Sequence, residues 1–168
     1  MKFLIKKIAI ILLSTGILNA YNNGIDEIYT FIGLQSAYTQ YDNIDAPTIG
    51  FSYGKQNSEW RTSLNYNYAI SSNHTYHSAI IQVDKGVLTE LFRDYDFKPY
   101  LGFSLGAMQH KKGSITDNGY LFGGNAGFNY VVNNLIDIDL GYRYMSTSKF
   151  QHLNDRGDFL LSLHYYFD

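Results

Sequence analysis

The sequence predicts an all-β protein: an eight-stranded antiparallel up-and-down transmembrane β-barrel, preceded by a cleavable N-terminal signal peptide. Three observations predict it: an apolar leader, period-2 alternation along the rest of the chain, and a polar face richer in glycine than a solvated face would be. The alternating stretches have the length needed to cross a bilayer at a tilt, about 9–11 residues each. We therefore expect a signal peptide over residues 1–20 and one barrel domain over residues 21–168.

The leader has the composition of a secretory signal peptide. A lysine-containing start precedes an apolar run over residues 8–13, and the segment ends at the small residue Ala20. The run is too short for a spanning helix of about 20 residues; an uncut N-terminal membrane anchor is the alternative. The formal net charge is −2, and loss of the leader's three lysines leaves −5. This charge gives no electrostatic basis for binding nucleic acid.

The clearest pair of strands lies between Gly119 and Tyr144. Apolar and aromatic residues alternate there with Gly, Asn, Asp and Arg on both sides of Asn133-Asn134, which predicts a hairpin turning at these two asparagines. The apolar face carries aromatic residues at its ends, and the other face is polar and glycine-rich. This pattern is typical of an outer-membrane barrel, whose outside is apolar and whose inside is polar.

Alternation elsewhere predicts six further strands. In chain order, the eight expected strands cover residues 27–40, 48–55, 59–71, 76–87, 98–110, 119–132, 135–144 and 157–167. Pro47 is expected to mark the start of the second strand, because proline cannot donate to a β-ladder. The faces of the first strand are left open, since Tyr29 and Phe31 fall on its otherwise polar side. A soluble barrel such as a lipocalin is the alternative, because periodicity does not distinguish inside from outside.

The segments between strands are expected to be short loops at one end of the barrel. They are Tyr41–Ala46, Ser71–Thr75, Lys111–Asn118 and Thr147–Arg156. At the other end, residues 88–97 form a longer connection in which a short helical turn is one option. Loops of this length favour a structural role over dedicated receptor binding.

The last strand, Phe159–Phe167, alternates apolar residues and closes on phenylalanine, as in the C-terminal signature of bacterial outer-membrane proteins, although Asp168 follows it. With Pro99–Gly106 and Asp137–Tyr144, it resembles the OmpA-like and opacity-type superfamily of eight-stranded outer-membrane β-barrels. The resemblance implies the outer membrane of a Gram-negative bacterium, contact with outer-membrane lipid and lipopolysaccharide, and recognition of the last strand by the barrel-assembly machinery. Because the chain stops at the barrel's last strand, the peptidoglycan-binding domain that often follows such barrels is not expected.

Charged residues on the polar parity are candidates for a polar network in the barrel lumen. They are Arg61, Asp137, Asp139 and Arg143. Neutral candidates beside them are Gln35, Asn65, Asn125 and Asn129. Eight strands enclose a space just wide enough for side chains, so opposite charges there are expected to pair. We interpret the network as a plug that fixes the barrel; a narrow porin-like channel for small solutes is the alternative.

Histidines supply the remaining candidates for chemistry. Near the end expected to face the cell exterior lie His74, His77, His110 and His152. These imidazoles could bind a transition metal or titrate near neutral pH, but their spacing defines no ligand geometry. We therefore predict no metal site and no cofactor.

An enzymatic role is not expected from the sequence. Barrels that deacylate lipid A resemble one another in a His-x-Ser pair, and this chain has none. In His77-Ser78 the two side chains lie on opposite faces of a strand, so they cannot form a nucleophile and its base. We predict no catalytic residue and a non-enzymatic structural or surface-interaction role; a lipid A-modifying enzyme is the less favoured alternative.

Overall fold

A computed structural model describes residues 27–150 and 153–167, apart from residue 43. This part of the chain is all-β, and its eight strands close into one antiparallel barrel in sequence order. The strands are β1 Tyr29–Tyr41, β2 Ile44–Gln56, β3 Trp60–Ser71, β4 His74–Gly86, β5 Phe97–Lys112, β6 Ile115–Asn133, β7 Ile136–Ser148 and β8 Asp155–Phe167. The predicted signal peptide at residues 1–20 lies outside the described residues.

Closure of the barrel comes from pairing of the last strand with the first. β8 runs antiparallel to β1 from Thr30 opposite Phe167 to Tyr41 opposite Arg156. Every strand therefore has a neighbour on both sides, which leaves no edge whose N–H and C=O groups would be unsatisfied in lipid.

Side chains alternate between the interior and the exterior along each strand. In β8, Leu161 and Leu163 are exposed, whereas Ser162 between them is buried. In β1, Phe31 is buried in the interior and Leu34 faces outward, which assigns the faces that the sequence left open. The exterior is apolar and most of the interior is polar, the reverse of a soluble barrel and the arrangement that a bilayer requires.

The second strand begins earlier than predicted, at Ile44, so Pro47 was not its first residue. Pro47 lies opposite Tyr38 of β1, while pairing of β2 with β3 starts only at Thr48. The missing N–H of Pro47 thus lies at the margin of the β2–β3 ladder, where proline is tolerated.

The four predicted loops at the end where β1 meets β2 are shorter than expected, because the strands extend into them. Segment Lys111–Asn118 is mostly the tip of the β5–β6 hairpin, and it turns at Gly113, whose φ of +58° suits a glycine. Likewise β7 continues to Ser148 and β8 starts at Asp155, inside the segment expected to be the last loop.

The opposite end carries short turns and one longer connection. The β6–β7 turn lies at Asn134-Leu135, one residue later than predicted, because Asn133 Oδ1 accepts the N–H of Leu135 at 2.8 Å. Residues 87–96 join β4 to β5 and contain one helical turn, in which Phe92 N–H donates to the Leu88 carbonyl at 3.1 Å.

Within the described ranges, no helix is both long enough and apolar enough to span a membrane.

Candidate functional site

Interior side chains fill the described barrel at three heights. We call the end with the β1–β2, β3–β4, β5–β6 and β7–β8 turns the outer end, and the opposite end the inner end. Every second residue of a strand points into the interior. Where consecutive inward residues are all polar or all apolar, that part of the inner wall is polar or apolar.

The middle height is a charged layer centred on Asp158. Asp158 Oδ2 accepts from Arg143 at 2.8 Å and 2.7 Å, and its Oδ1 accepts from Arg156 at 2.8 Å. The side chains of all three residues are completely buried. One carboxylate is thus buried with two guanidinium groups, which leaves one net positive charge. Burial of that charge requires compensation by a negative charge elsewhere in the layer.

That compensation comes from a second cluster in the charged layer, around Arg61. Arg61 Nη2 lies 3.0 Å from Asp84 and 2.6 Å from Asp139. The Tyr100 hydroxyl donates to Asp139 at 2.9 Å, and its ring centroid lies 4.7 Å from the Arg61 guanidinium carbon. Here two carboxylates share one guanidinium, which is the inverse of the charge balance at Asp158.

Gln82 connects the two clusters. Its amide nitrogen donates to both oxygens of Asp84 at 3.1 Å and 3.0 Å, and its amide oxygen accepts from Arg143 at 3.3 Å. The charged layer therefore combines three arginines with three aspartates in one hydrogen-bonded network. Its formal charge is balanced, so burial leaves no isolated charge.

An inner polar layer surrounds Asp137. Asp137 lies 2.7 Å from His164 Nδ1, accepts from Asn129 at 2.6 Å, and also accepts from the Tyr166 hydroxyl. A histidine–carboxylate pair could orient a base for a nucleophile, but the nearby buried hydroxyl of Ser52 makes no hydrogen bond. In this arrangement the buried carboxylate of Asp137 has three side-chain partners, and Ser52 is not one of them.

An apolar cap fills the outer end of the interior, and sequence reasoning missed it. Its buried members are Tyr41, Ala46, Ala69, Tyr76, Ile80, Met108, Leu121, Met145 and Leu153. Tyr41 and Tyr76 stack with centroids 3.8 Å apart, and the Arg156 guanidinium carbon lies 5.4 Å from the Tyr41 ring. The cap therefore lies directly against the charged layer.

Two of the predicted exterior histidines meet at the outer rim. His74 Nδ1 lies 2.8 Å from His110 Nε2, and the His110 ring stacks on Tyr76 at 4.6 Å. The ring centroids of the two histidines are 5.1 Å apart with planes 6° from parallel, so the rings meet edge to edge in one plane. His152 lies outside the described residues.

His74 and His110 lie beyond the apolar part of the exterior that faces lipid, because the outward side chains near them, Gln109 and Lys111, are polar. Burial lowers the pKa of His74, with Lys112 acting in the same direction. Burial, and then the neighbouring His74, lowers the pKa of His110. Across the described part of the chain, no three His, Cys, Asp or Glu side chains are grouped in a way that could hold a metal ion.

The four predicted network residues are all buried in the interior, but they do not form one cluster. Arg61 contacts Asp139, whereas Arg143 pairs with Asp158 and Asp137 belongs to the inner polar layer. The neutral candidates Gln35, Asn65, Asn125 and Asn129 are buried as well. Sequence reasoning missed three charged members, Asp84, Arg156 and Asp158, although the first and last share the inward parity of their strands.

No family model and no curated protein matches the sequence of the chain. Solved structures do match its fold. The structure of Neisserial surface protein A, NspA, superimposes with a TM-score of 0.67 at 19% identity, covering 83% of this chain and 97% of that chain. The Yersinia pestis outer membrane protein Ail in a phospholipid nanodisc gives a TM-score of 0.53 at 16% identity, covering 84% and 100%. The outer membrane enzyme PagL gives 0.51 at 10% identity, covering 80% and 98%.

These identities are low enough that the likeness concerns the fold alone. The predicted similarity to eight-stranded outer-membrane barrels is confirmed at that level. An outer-membrane location agrees with both the matches and the apolar exterior of this barrel. Because an enzyme and a surface protein share the architecture, the fold does not select a function.

Proposed function

We propose that this outer-membrane barrel is a non-enzymatic protein with a closed interior, serving envelope structure or surface interaction in a Gram-negative bacterium. The observation that carries the proposal is the charged layer, in which the side chains of Arg143, Arg156 and Asp158 are 0% exposed. A hydrated pore would leave such charges in contact with water. Here they pair with one another, under a cap of stacked aromatic and aliphatic side chains.

The exterior supports anchoring as the mechanical part of this role. Leucine, isoleucine and phenylalanine side chains face outward along the strands, and several outward tyrosines lie near strand ends, including Tyr29, Tyr130 and Tyr165. Tyrosine favours the interface, where its ring contacts chains and its hydroxyl contacts water. The barrel is thereby held at a defined depth in the bilayer.

The outer end supports a structural role over receptor binding. With an even number of strands and a periplasmic N-terminus, this end faces the cell exterior. Consecutive strands there are close together in sequence: β1 ends at Tyr41 and β2 begins at Ile44, β3 ends at Ser71 and β4 begins at His74, β5 ends at Lys112 and β6 begins at Ile115, and β7 ends at Ser148 and β8 begins at Asp155. Turns of this length present little surface to a protein partner.

Export and assembly belong to the same proposal. The leader at residues 1–20 would direct secretion and be removed. β8 would be the segment that the barrel-assembly machinery recognises, because it pairs with β1 to close the sheet and ends on Phe167. Outer-membrane lipid and lipopolysaccharide are the expected surroundings.

Single-channel recording in planar bilayers tests the closed interior. We expect no steady discrete conductance from the purified barrel, because the charged layer and the cap leave no hydrated path. Steady conductance that disappears in the Arg143→Ala variant would overturn the proposal and identify a channel.

A narrow channel is the second candidate, and one observation favours it. Buried polar atoms of Gln35, Ser52 and Asn67, on adjacent strands β1, β2 and β3, have no hydrogen-bond partner. Such atoms usually bind ordered water. A file of waters along this side of the interior would conduct small solutes only if the apolar cap opened, so the recording above separates the two candidates.

Lipid A modification is the enzymatic alternative. The only histidine–carboxylate contact within 4.0 Å in the described part of the chain, His164 with Asp137, is buried in the interior, away from lipid. Mass spectrometry of lipid A from cells with and without the gene tests this alternative. We expect identical lipid A; loss or gain of an acyl chain that depends on the gene would contradict a non-enzymatic role.

A further inference from the structure

A notch lies in the lipid-facing surface across β3 to β6, near the outer end. Its floor is Ala79 and Ala107, which are opposite each other in the β4–β5 register. Tyr66 lies beside Ala79 on β3, and Tyr120 lies beside Ala107 on β6. The cavity between them has a volume of about 410 Å³. Small side chains flanked by two rings thus leave an apolar groove open to the bilayer.

The outer edge of the notch is polar. His77, Gln109 and Asn118 face outward one step above the floor, and the Gln109 amide donates to Asn118 at 3.1 Å. His77 Nδ1 lies 2.8 Å from the Tyr66 hydroxyl. When that hydroxyl donates to Nδ1, the proton of the neutral ring is on Nε2, where it can be donated to a ligand.

Lys149 completes the edge and gives it a positive charge. Its Nζ lies 4.9 Å from the Tyr120 ring centroid, and its backbone has a φ of 74°, which residues other than glycine rarely adopt. Among the described residues, no carboxylate lies within 4.0 Å of this ammonium. Asp155 is on β8, opposite Ser146 of β7, and Asp45 is on β2; neither lines the notch. Asp117 of β6 has the inward parity of its strand and does not line the notch either.

We propose that the notch binds one phosphate-bearing lipid of the outer leaflet. One acyl chain would cover Ala79 and Ala107, and the phosphate would lie between Lys149 and His77. An anion is favoured because the described residues that line the notch include Lys149 and no carboxylate, and a lipid is favoured because the apolar floor continues directly into the polar edge. The inference rests on the proposed role, since a lipid held at one site strengthens anchoring in the membrane.

Native mass spectrometry tests the site. The barrel is placed in phosphatidylcholine nanodiscs containing a small fraction of phosphatidic acid, released into detergent, and the retained lipids are counted by mass. We expect one retained phosphatidic acid and no retained phosphatidylcholine. Lys149→Ala should lower retention about fivefold, the effect of one lysine near an anionic surface. Ala107→Phe should lower it by filling the floor, and inorganic phosphate should not displace the lipid.

Matched controls come from two features elsewhere on the exterior. Lys85 also lies over an aromatic ring, 5.1 Å from that of Trp60, but at the inner end. Ala126 lines a larger groove of about 550 Å³ across β6 to β8 and β1, and the described residues that line it include no lysine. Lys85→Ala and Ala126→Phe should therefore retain phosphatidic acid as the unmodified barrel does.

Two outcomes would overturn the inference. One is unchanged retention in both Lys149→Ala and Ala107→Phe; the other is equal retention of phosphatidylcholine, which would mean that the charge plays no part. Slower migration on gels after boiling would verify that each variant is folded. Either outcome would leave the absence of conductance untouched, so failure of the lipid site is distinguishable from failure of the closed-barrel proposal.

Discussion

At the scale of single residues, the stability of the interior depends most on Asp158. Its carboxylate accepts hydrogen bonds from two buried arginines, so its removal leaves Arg143 and Arg156 facing each other without compensation. Deleting one partner of a buried ion pair typically destabilises a protein by about 3–5 kcal/mol. We expect Asp158→Ala to lower the free energy of unfolding by an amount of this order, measured by urea titration using the fluorescence of the single tryptophan, Trp60.

The matched control is an ion pair of similar geometry on the surface. Arg93 lies 2.6 Å from Glu90 in the β4–β5 connection, and both side chains are largely exposed. Solvated pairs contribute little, so Glu90→Ala should leave the urea midpoint unchanged within error. Equal midpoints for Asp158→Ala and Glu90→Ala would contradict the role assigned to the charged layer.

The rim histidines should make the outer end sensitive to acid. Because the folded pKa of His74 and of His110 is lowered from the ordinary value of 6.5, the unfolded state takes up protons first as pH falls. The pair's contribution to stability is therefore present above pH 6.5 and is lost as the pH falls below it. Amide hydrogen exchange, corrected for intrinsic rates, should be faster at the outer ends of β4 and β5 at pH 5.5 than at pH 7.5.

A histidine substitution provides the control for that measurement. His110→Gln keeps a polar side chain at the rim but removes one titrating group, so it should weaken the pH dependence at the outer ends of these two strands. Exchange at the inner end of β4, near Gly86, should not respond to pH in either protein. A pH response equal along the whole of β4 would show that the histidine pair is not its cause.

At the scale of strands, two adjacent glycines of β6 differ in whether the space around them can accept a side chain. A Cβ on Gly123 would overlap the Tyr144 carbonyl oxygen of β7 and would lie 2.6 Å from Met145 Cα. A Cβ on Gly124 would meet only the Gly102 carbonyl, at 3.7 Å. The interior wall at Gly123 is therefore in direct contact with backbone, whereas the exterior at Gly124 has room for a methyl group.

Alanine substitution of these glycines should give opposite results. Gly123→Ala should destabilise the barrel by about 1–3 kcal/mol or more, because the strand backbone must shift. Gly124→Ala should be neutral or stabilising by up to about 1 kcal/mol, because glycine is unfavourable inside a strand. Urea midpoints of refolded protein would measure both, and a tolerated Gly123→Ala would contradict the β6–β7 packing.

Strand order and side-chain parity were predictable from the sequence because alternation is local. The inward positions of Arg61, Asp139 and Arg143 follow from the residues two before and two after each of them. The pairing of the arginines with Asp84 and Asp158 does not follow from the local sequence. It depends on the strand register and on barrel closure, which the whole sheet determines. Arg156 was missed because the polar residues around it resemble a loop.

The apolar cap was not predicted for a related reason. Ile80, Leu121 and Met145 fall on the parity that otherwise holds glycine and polar residues, so each looked like an isolated exception. Only the three-dimensional register places them at one height. A sequence signal did exist, since Leu121 and Met145 lie in the outer halves of their strands and Ile80 lies at the middle of β4.

At the scale of the whole molecule, the barrel has an apolar exterior, a mostly polar interior, and a second apolar region at the outer end of that interior. Lipid covers the outer surface, the charged layer occupies the middle of the interior, and the cap separates that layer from the outer end. Closure of β8 on β1 makes these parts interdependent, because Asp158 of β8 is paired in register with Thr39 of β1 and Arg143 of β7. The same layers that stabilise the barrel also close it.

Cysteine labelling along β8 tests this closed, inverted architecture most directly, because the chain has no cysteine of its own. Leu161→Cys, Ser162→Cys and Leu163→Cys each place one thiol in a bilayer-embedded barrel, at positions that are 50%, 3% and 49% exposed. We predict that thiols at 161 and 163 are accessible from lipid and that the thiol at 162 resists a small water-soluble reagent. Rapid reaction of the Ser162→Cys thiol with that reagent in the folded barrel would show a water-filled interior and contradict the account.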